Sequence, residues 1–303
     1  MITGASGFVG SHLVTALKLA YPKATLSLLT RGNRPGCIRG DVTDVAAMQK
    51  IIGEVQPDCV MHLAARSTVT AKPGSTWRVN VGSAIALAEA IAEHAPKATV
   101  LNVSSSEVYG SSFLSGRVNE GAPIKPLNVY GRTKIAAEAI FADILSSTNR
   151  LINVRPFNHT GPGQDERFVV PSFAAQIARI ESSREASSML VGNLESLRDF
   201  LDVRDVVRAY VSLLQQSQDL PMRSVFNICS GQSVPVRNIL GALLSLARTP
   251  INVEQDPERS RPSDIPSAEG DCSALQLATG WQPQIPLEQT LADILEQFRR
   301  HHR

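Results

Sequence analysis

The stretch that decides the fold lies at the start of the chain, where residues 2–19 read ITGASGFVGSHLVTALKL. A short β-type run leads into three spaced glycines, and leucines at helical spacing follow them. In this order the first glycine permits a tight turn and the second lets the backbone approach a pyrophosphate at the helix N-terminus. The third allows the helix to pack closely on the strand. The pattern predicts a dinucleotide-binding loop formed by Gly4, Gly7, Phe8, Val9 and Gly10.

Short β-rich runs alternate with amphipathic helical segments through the first half of the chain. Helical patterns cover residues 45–54 and 83–93, and β-rich runs cover residues 1–3, 24–30, 58–64, 99–104 and 151–155. This alternation predicts right-handed βαβ units and therefore an α/β fold, a Rossmann-like doubly wound parallel sheet. The first run is shorter than the ~5 residues of a typical strand, which suggests that the natural start of the chain was trimmed or wrongly assigned.

Loops rich in glycine and proline become frequent after Pro156 and indicate a change of architecture. We expect a dinucleotide-binding domain over residues 1–157 and a smaller C-terminal substrate-binding domain over residues 158–303. The segment 198–231 contains an apolar helical pattern and a β-rich run. We expect that segment to return to the first sheet.

The composition is that of an ordinary globular chain and excludes several classes of protein. The 303 residues are 43% hydrophobic and 19% charged, with 30 basic against 28 acidic side chains. The sequence contains no run of basic residues of the kind that indicates nucleic-acid binding. Its apolar runs are all shorter than the ~18 residues of a membrane span. The spacing of Cys37, Cys59, Cys229 and Cys272 fits no zinc motif. We expect a cytoplasmic protein with no metal site and no nucleic-acid or membrane partner.

The residue about 20 positions beyond the glycine loop distinguishes NAD from NADP. An acid there binds the ribose 2′-hydroxyl of NAD, whereas an arginine accommodates the 2′-phosphate of NADP. This chain has Arg31 there and no acid before Asp41. We therefore expect NADP(H) to be preferred, with NAD(H) possible, and Asp41 and Val42 to lie near the adenine ring. The alternative is that Arg31 belongs to a solvated turn.

Tyr130 and Lys134 are four residues apart in a strongly helical pattern, so both project from one helix face. A cation beside a phenol lowers the pKa of the phenol, and Tyr130 could then exchange a proton with a carbonyl or alkoxide. Ser104, Ser105 and Ser106 end a predicted strand, at the edge where doubly wound sheets bind ligands. The order of glycine loop, serine cluster and Tyr/Lys pair predicts one catalytic site.

Strings of sequence along nearly the whole chain resemble those of the extended short-chain dehydrogenases/reductases, the NAD-dependent epimerase/dehydratase family. In the N-terminal half they are GASGFVG (4–10), HLAA (62–65), SSSEVYG (104–110), YGRTK (130–134) and RPFNHTGPGQ (155–164). In the C-terminal half they are GNLESLRDFLDVRDVVRAY (192–210), FNICSG (226–231), RPSDIP (261–266) and TGWQPQIPLEQTL (279–291). Within that family they are most similar to GDP-4-keto-6-deoxy-D-mannose reductases, with GDP-mannose 4,6-dehydratases as the nearest relatives.

The resemblance implies a role for each matching residue. Ser105, Tyr130 and Lys134 would be catalytic, with Tyr130 as the proton donor. The cofactor would also contact Leu63, Ala64, Ala65, Tyr130, Lys134 and Pro156. The substrate would contact Ser105, Ser106, Glu107, Asn158, Arg198 and Arg261, and the two arginines would clamp its pyrophosphate bidentately.

Three functions stay open from the sequence. The favoured one is NAD(P)H-dependent reduction of the 4-keto group of GDP-4-keto-6-deoxy-D-mannose to GDP-D-rhamnose by a homodimer. The second is a nucleotide-sugar 4,6-dehydratase or 4-epimerase, because a dehydratase uses a glutamate at the position of Glu107 as its base. The third is a non-catalytic nucleotide-sensing protein, which the intact Tyr130 and Lys134 disfavour.

Overall fold

The structure is a computed structural model that describes residues 1–67, 72–183, 188–256 and 265–301. The strands in that part of the chain are β1 (Ile2–Thr3), β2 (Leu28–Thr30), β3 (Ile38–Arg39), β4 (Cys59–His62), β5 (Thr99–Val103), β6 (Arg150–Pro156), β7 (Asn158–Thr160), β8 (Ser188–Val191), β9 (Leu197–Asp202), β10 (Arg223–Ile228), β11 (Ser233–Pro235), β12 (Asn252–Gln255) and β13 (Ser267–Ala268). The helices are α1 (Phe8–Ala20), α2 (Val45–Val55), α3 (Pro73–His94), α4 (Val129–Ile144), α5 (Val169–Ser183), α6 (Val203–Gln215), α7 (Val236–Ser245), α8 (Ser273–Thr279) and α9 (Leu287–His301).

A central sheet of seven described strands has the order β10-β6-β5-β4-β1-β2-β3, and every neighbouring pair is parallel. The chain runs outward from β1 to β3 and then crosses back to β4, so the direction of strand order reverses between β1 and β4. Sheets of this type bind ligands outside the carboxyl ends of the strands at such a reversal. The predicted Rossmann-like α/β fold is confirmed.

Helices cover both faces of the central sheet. Val60 and Val100 pack in one apolar cluster with residues of α2, α3 and α4. Their chain neighbours Met61 and Leu101 pack in another cluster with residues of α1 and α6. Successive residues of a strand point to opposite faces, so both faces of this sheet are buried. This explains why apolar residues occupy consecutive positions in its inner strands.

After residue 157 the described chain forms smaller sheets. β9 lies between β11 and β13 and also pairs with β7, while β8 pairs with β12. A third apolar cluster joins α5, α7 and α9 through side chains such as Phe173, Leu243 and Leu295. Within the segment 198–231, β9 belongs to a smaller sheet and β10 to the central one. The division into two domains at residue 157 stays a prediction.

Strand β3 and the start of β2 differ from the sequence analysis. β3 is not predicted, because its two residues form no apolar run and lie between turn residues of the stretch GNRPGCIRG (32–40). β2 begins at Leu28 rather than at residue 24, because its partner β1 has only two residues, which pair with Leu28 and Leu29.

Two kinds of feature are not found in the described residues. No helix there is long and apolar enough to cross a bilayer. Nor is any group of three or more His, Cys, Asp or Glu side chains arranged to hold a metal ion. Free thiols are found at Cys37, Cys59, Cys229 and Cys272.

Gly10→Ala should destabilise the chain, because the added Cβ would lie 2.2 Å from the Gly4 carbonyl oxygen. Backbone atoms have to move, so we expect the free energy of unfolding to fall by about 1–3 kcal/mol. The matched control is Gly241→Ala in α7, where the added Cβ meets nothing within 4 Å. That substitution should raise the free energy of unfolding by about 0.5–1 kcal/mol. Urea denaturation measures both, and equal effects would contradict the expected crowding at Gly10.

Candidate active site

The glycine loop between β1 and α1 forms a cradle against the end of β4. Gly4 has a φ of +70°, and a Cβ there would lie 2.8 Å from the backbone nitrogen of Ala64. Gly7 is the N-cap residue of α1, whose first turn contains no acidic side chain. An N-terminus with amide groups and no competing carboxylate suits a pyrophosphate. The loop therefore fits a dinucleotide cofactor.

Other residues predicted to contact the cofactor lie at the same edge of the sheet. Phe8 and Val9 are partly buried in the first turn of α1. Pro156 is the last residue of β6, where it pairs with Ile228 of β10. The segment that follows β4 and packs on Gly4 contains Leu63, Ala64 and Ala65.

The residues predicted to bind the adenosine half lie just beyond β2 and β3. Thr30 ends this strand, and Arg31 is exposed directly after it. Hydrogen bonds from the backbone nitrogen and hydroxyl of Thr43, at 3.0 and 2.8 Å, lower the pKa of Asp41, and the charge of Arg31 adds to this effect. Val42 is buried. The structure thus brings a cation close to a carboxylate that Thr43 already engages.

The three residues predicted to be catalytic form one cluster at the carboxyl end of β5. The Lys134 Nζ donates a 2.7 Å hydrogen bond to the carbonyl oxygen of Val103 and lies 5.6 Å from the centre of the Tyr130 ring. Ser105 follows this strand, and its Oγ accepts a 3.2 Å hydrogen bond from the backbone nitrogen of Glu107. The Ser105 side chain also lies close enough to Tyr130 to lower the pKa of the phenol.

Burial dominates the protonation of this cluster. Burial raises the pKa of Tyr130, the Glu107 carboxylate raises it further, and the nearby Ser105 side chain opposes both effects. Burial also lowers the pKa of Lys134 to about 8, against the opposing charge of Glu138. The net shift of the Tyr130 pKa is therefore upward, opposite to the expected direction. The ammonium lies over the ring and hydrogen-bonds to the strand, and desolvation outweighs its charge, so the phenol stays protonated at neutral pH.

The Glu107 carboxylate lies beside this cluster and is held there by Asn128. The Asn128 Nδ2 donates a 2.6 Å hydrogen bond to Glu107 Oε2, and its Oδ1 accepts a 2.8 Å hydrogen bond from the backbone nitrogen of Gly131. Asn128 thereby caps α4 and orients Glu107 at the same time. The sequence analysis missed this residue, although an asparagine directly before a helical pattern is a typical N-cap signal.

The other residues predicted to bind substrate are spread over both halves of the chain. Ser106 is buried at the start of a short 3₁₀ turn. Arg198 of β9 is close enough to Glu107 that this carboxylate opposes the lowering of the pKa of Arg198 by burial. Asn158 is exposed on the neighbouring strand β7, opposite Phe200. Arg261 lies outside the described residues.

A buried histidine connects the glycine-loop strand to α3. His62 Nδ1 lies 2.8 Å from Thr3 Oγ1, and Nε2 lies 3.3 Å from Ser83 Oγ. Burial, with the nearby charge of Lys134, lowers the pKa of His62 to about 3. A neutral imidazole therefore links β1, β4 and α3. The sequence alone carries no signal for this link, because Thr3 and Ser83 are 59 and 21 positions away.

Comparison with known proteins places this geometry in a family. The model of the GDP-mannose 4,6 dehydratase family matches residues 1–294. The GDP-6-deoxy-D-mannose reductase of Pseudomonas aeruginosa is 34% identical, over 98% of this chain and 96% of that protein. The GDP-6-deoxy-D-talose 4-dehydrogenase of Aggregatibacter actinomycetemcomitans is 27% identical, over 91% of this chain and 89% of that protein.

A solved structure supports the same relationship. The structure of RMD from Pseudomonas aeruginosa in complex with NADPH matches with a TM-score of 0.85 and 32% identity. The match covers 99% of this chain and 98% of that one. That relative binds a nicotinamide dinucleotide, and the glycine loop of this chain has the geometry to fit a dinucleotide.

His62 should make the stability of the chain sensitive to acid. The unfolded chain binds a proton at His62 below the ordinary pKa of ~6.5, whereas the folded chain does so only near pH 3. The unfolded state is thus favoured as the pH falls below 6.5, and between pH 7 and 5 this group should lower the free energy of unfolding by about 2 kcal/mol.

The measurement is urea denaturation at both pH values. His62→Gln should lose this part of the pH dependence, whereas the control His301→Gln, at an exposed position, should retain it. An unchanged pH dependence in His62→Gln would show that His62 is protonated in the folded state.

Proposed function

Because the chain belongs to the GDP-mannose 4,6 dehydratase family, we propose that it reduces the 4-keto group of GDP-4-keto-6-deoxy-D-mannose with NADPH and forms GDP-D-rhamnose. The observation that carries this proposal is the half-buried Tyr130 beside Lys134 at the carboxyl end of β5, where desolvation raises the pKa of the phenol. A phenol held in its neutral form is a proton donor, as ketone reduction requires. The 34% identity to a GDP-6-deoxy-D-mannose reductase supports the same reaction.

The catalytic cluster binds the ketone oxygen, transfers the proton and stabilises the charge that develops in this reaction. Ser105 donates a hydrogen bond to the ketone oxygen and holds it within reach of Tyr130. The nicotinamide cofactor, when bound, supplies the hydride. Tyr130 gives its proton to the oxygen as negative charge develops there, and the Lys134 ammonium stabilises the phenolate that remains. The proton donor and the cation are thus one helical turn apart on α4.

The pyrophosphate and the hexose occupy different parts of the proposed substrate site. Asn158, Arg198 and Arg261 bind the GDP pyrophosphate, since arginine matches phosphate oxygens bidentately. Glu107 accepts a hydrogen bond from a hexose hydroxyl beside the ketone, and its contact with Asn128 fixes its direction. The choice of guanine rests on the relatives. A homodimeric state and a cytoplasmic location stay expectations from the sequence.

The second candidate is a nucleotide-sugar 4,6-dehydratase or 4-epimerase. It is favoured by one observation, the carboxylate of Glu107 close enough to Tyr130 to raise its pKa. A base at that position could remove a proton from carbon 5 of the hexose. A non-catalytic nucleotide sensor has no use for a proton donor, so the Tyr130, Lys134 and Ser105 cluster argues against the third candidate.

Two incubations distinguish the enzymatic candidates. A reductase consumes NADPH one for one with GDP-4-keto-6-deoxy-D-mannose and leaves GDP-mannose unchanged without reductant. Glu107→Gln should slow that reduction only modestly, because no proton is removed from carbon. Keto sugar formed from GDP-mannose alone, and abolished by Glu107→Gln, would instead establish the dehydratase. Product analysis by NMR gives both the reaction and the configuration at carbon 4.

Arg31→Ala should weaken NADPH binding much more than NADH binding. A charged contact with the 2′-phosphate contributes about 1.5–3 kcal/mol, which NADH cannot lose because it lacks that phosphate. Fluorescence titration of both cofactors against the parent and the variant measures the difference. Equal losses for the two cofactors would mean that Arg31 is a solvated turn residue.

Tyr130→Phe should reduce turnover ~100 to 10,000-fold, because it keeps the ring but removes the transferred proton. NADPH binding should survive. The matched control is Tyr21→Phe at the end of α1, which makes the same chemical change elsewhere and should leave turnover unchanged. Turnover of Tyr130→Phe within a few-fold of the parent would identify another residue as the acid.

A further inference from the structure

Glu138 and Arg155 form a buried ion pair directly behind the catalytic cluster. The guanidinium of Arg155 on β6 donates two hydrogen bonds to the Glu138 carboxylate on α4, at 3.0 Å from Nε and 2.7 Å from Nη2. The two side chains are only 6% and 7% exposed. Against the lowering effect of burial, these hydrogen bonds and the charge of Glu138 raise the pKa of Arg155.

The same guanidinium reaches two further elements of the site. Arg155 Nη1 donates a 3.1 Å hydrogen bond to the Tyr109 hydroxyl, which itself donates a 2.7 Å hydrogen bond to Asn227 Oδ1. Tyr109 follows the turn that carries Ser105 to Glu107, and Asn227 belongs to β10. One buried network therefore joins α4, β6, β10 and the turn that ends β5.

Stability alone is a poor explanation for this pair. Removing two charges from water is unfavourable, and a buried ion pair can often be replaced by an apolar pair of similar volume without loss of stability. Glu138 follows Lys134 by four residues on α4, so the two side chains lie on one helix face. The Lys134 Nζ gives its hydrogen bond to Val103, and the carboxylate acts on the ammonium through space.

Among the described groups around Lys134, Glu138 is the one whose negative charge offsets the effect of burial on the ammonium. Tyr130 on α4 is neutral, and the nearby imidazole of His62 on β4 is also neutral because its pKa is about 3. Val103 of β5 offers a carbonyl dipole but no charge. Burial lowers the pKa of Lys134 to about 8, and Glu138 is the group whose charge opposes that lowering.

We propose that Glu138, clamped by Arg155, is a positioning residue for the reaction: it holds α4 against β6 and keeps the buried Lys134 ammonium charged beside Tyr130. The proton donor then forms its phenolate next to a cation rather than next to a neutral amine. Only the kinetic part of the following test rests on the proposed function.

The direct test titrates Lys134 without substrate. The chain has seven lysines, so protein labelled with ¹³C at the lysine Cε carbon gives few NMR signals, and Lys134→Arg assigns the relevant one. In Glu138→Gln, Lys134 should titrate about one pH unit lower than in the parent. The alkaline limb of kcat/KM should move with it, giving a loss of roughly five-fold at pH 8 as the protonated fraction falls.

Two further variants separate positioning from stability. Glu138→Leu combined with Arg155→Met replaces the ion pair by an apolar pair. This double variant should have a higher melting temperature than Glu138→Gln, while its Lys134 should still titrate at a lower pH than in the parent. The control is Glu181→Gln, because Glu181 forms a similar bidentate pair with Arg299, with both hydrogen bonds at 2.7 Å, between α5 and α9. It should lower the melting temperature and leave the titration of Lys134 unchanged.

An unaltered titration of Lys134 in Glu138→Gln would overturn the inference. So would a double variant that recovers both its melting temperature and the activity of the parent. If the parent itself fails to reduce the keto sugar, the proposed reaction is wrong, and the NMR titration still decides the role of Glu138.

Discussion

The arrangement of the site depends on a buried cation, the Lys134 ammonium, which needs a hydrogen-bond acceptor and a nearby negative charge. It lies away from water, donates to the carbonyl at the end of β5, and has the carboxylate of Glu138 on its own helix face. This requires the start of α4 to lie against the carboxyl end of β5. Asn128 caps the helix at that point, and Glu138 ties it to β6 one turn after Lys134. Tyr130 is carried into the site by the same helix.

The parallel sheet explains why the parts of the site meet. The strand order reverses between β1 and β4, and a crevice forms at such a reversal, outside the carboxyl ends of the strands. The carboxyl ends of β1, β4 and β5 lead into the glycine loop, the segment after β4 and the serine turn, so all three lie on this side of the sheet. Arg198 comes from β9, outside the central sheet, yet it is close to Glu107. The second half of the chain thus adds a cation to a site whose catalytic residues come from the first half.

Local patterns in the sequence predict the parts of the structure whose cause is local. The glycine spacing predicts the loop, because Gly4 has a positive φ and a Cβ on Gly10 would meet the Gly4 carbonyl oxygen six positions earlier. The spacing of Tyr130 and Lys134 predicts their common helix face. Arg198 and Arg261 are identified only by resemblance, since nothing in their neighbourhood distinguishes them from other loop arginines.

The sequence does not predict contacts between residues far apart in the chain, nor the pKa shifts that burial causes. Asn128 is 21 positions from Glu107, and Glu138 is 17 positions from Arg155, so neither contact follows from spacing alone. The direction of the pKa shift of Tyr130 was predicted wrongly for the same reason, because residue spacing reveals a neighbouring lysine but not the loss of water around a phenol. Strand β3 was missed because two residues carry too little pattern.

In the proposed reaction a neutral Tyr130 protonates the ketone oxygen while hydride from the cofactor reaches the same carbonyl group. The decisive experiment follows deuterium from NADPH that carries deuterium at both positions of nicotinamide carbon 4 during turnover of GDP-4-keto-6-deoxy-D-mannose. We expect one deuterium at carbon 4 of the hexose for each NADPH consumed. Unconsumed NADPH, or product without deuterium at that carbon, would contradict the proposed reaction.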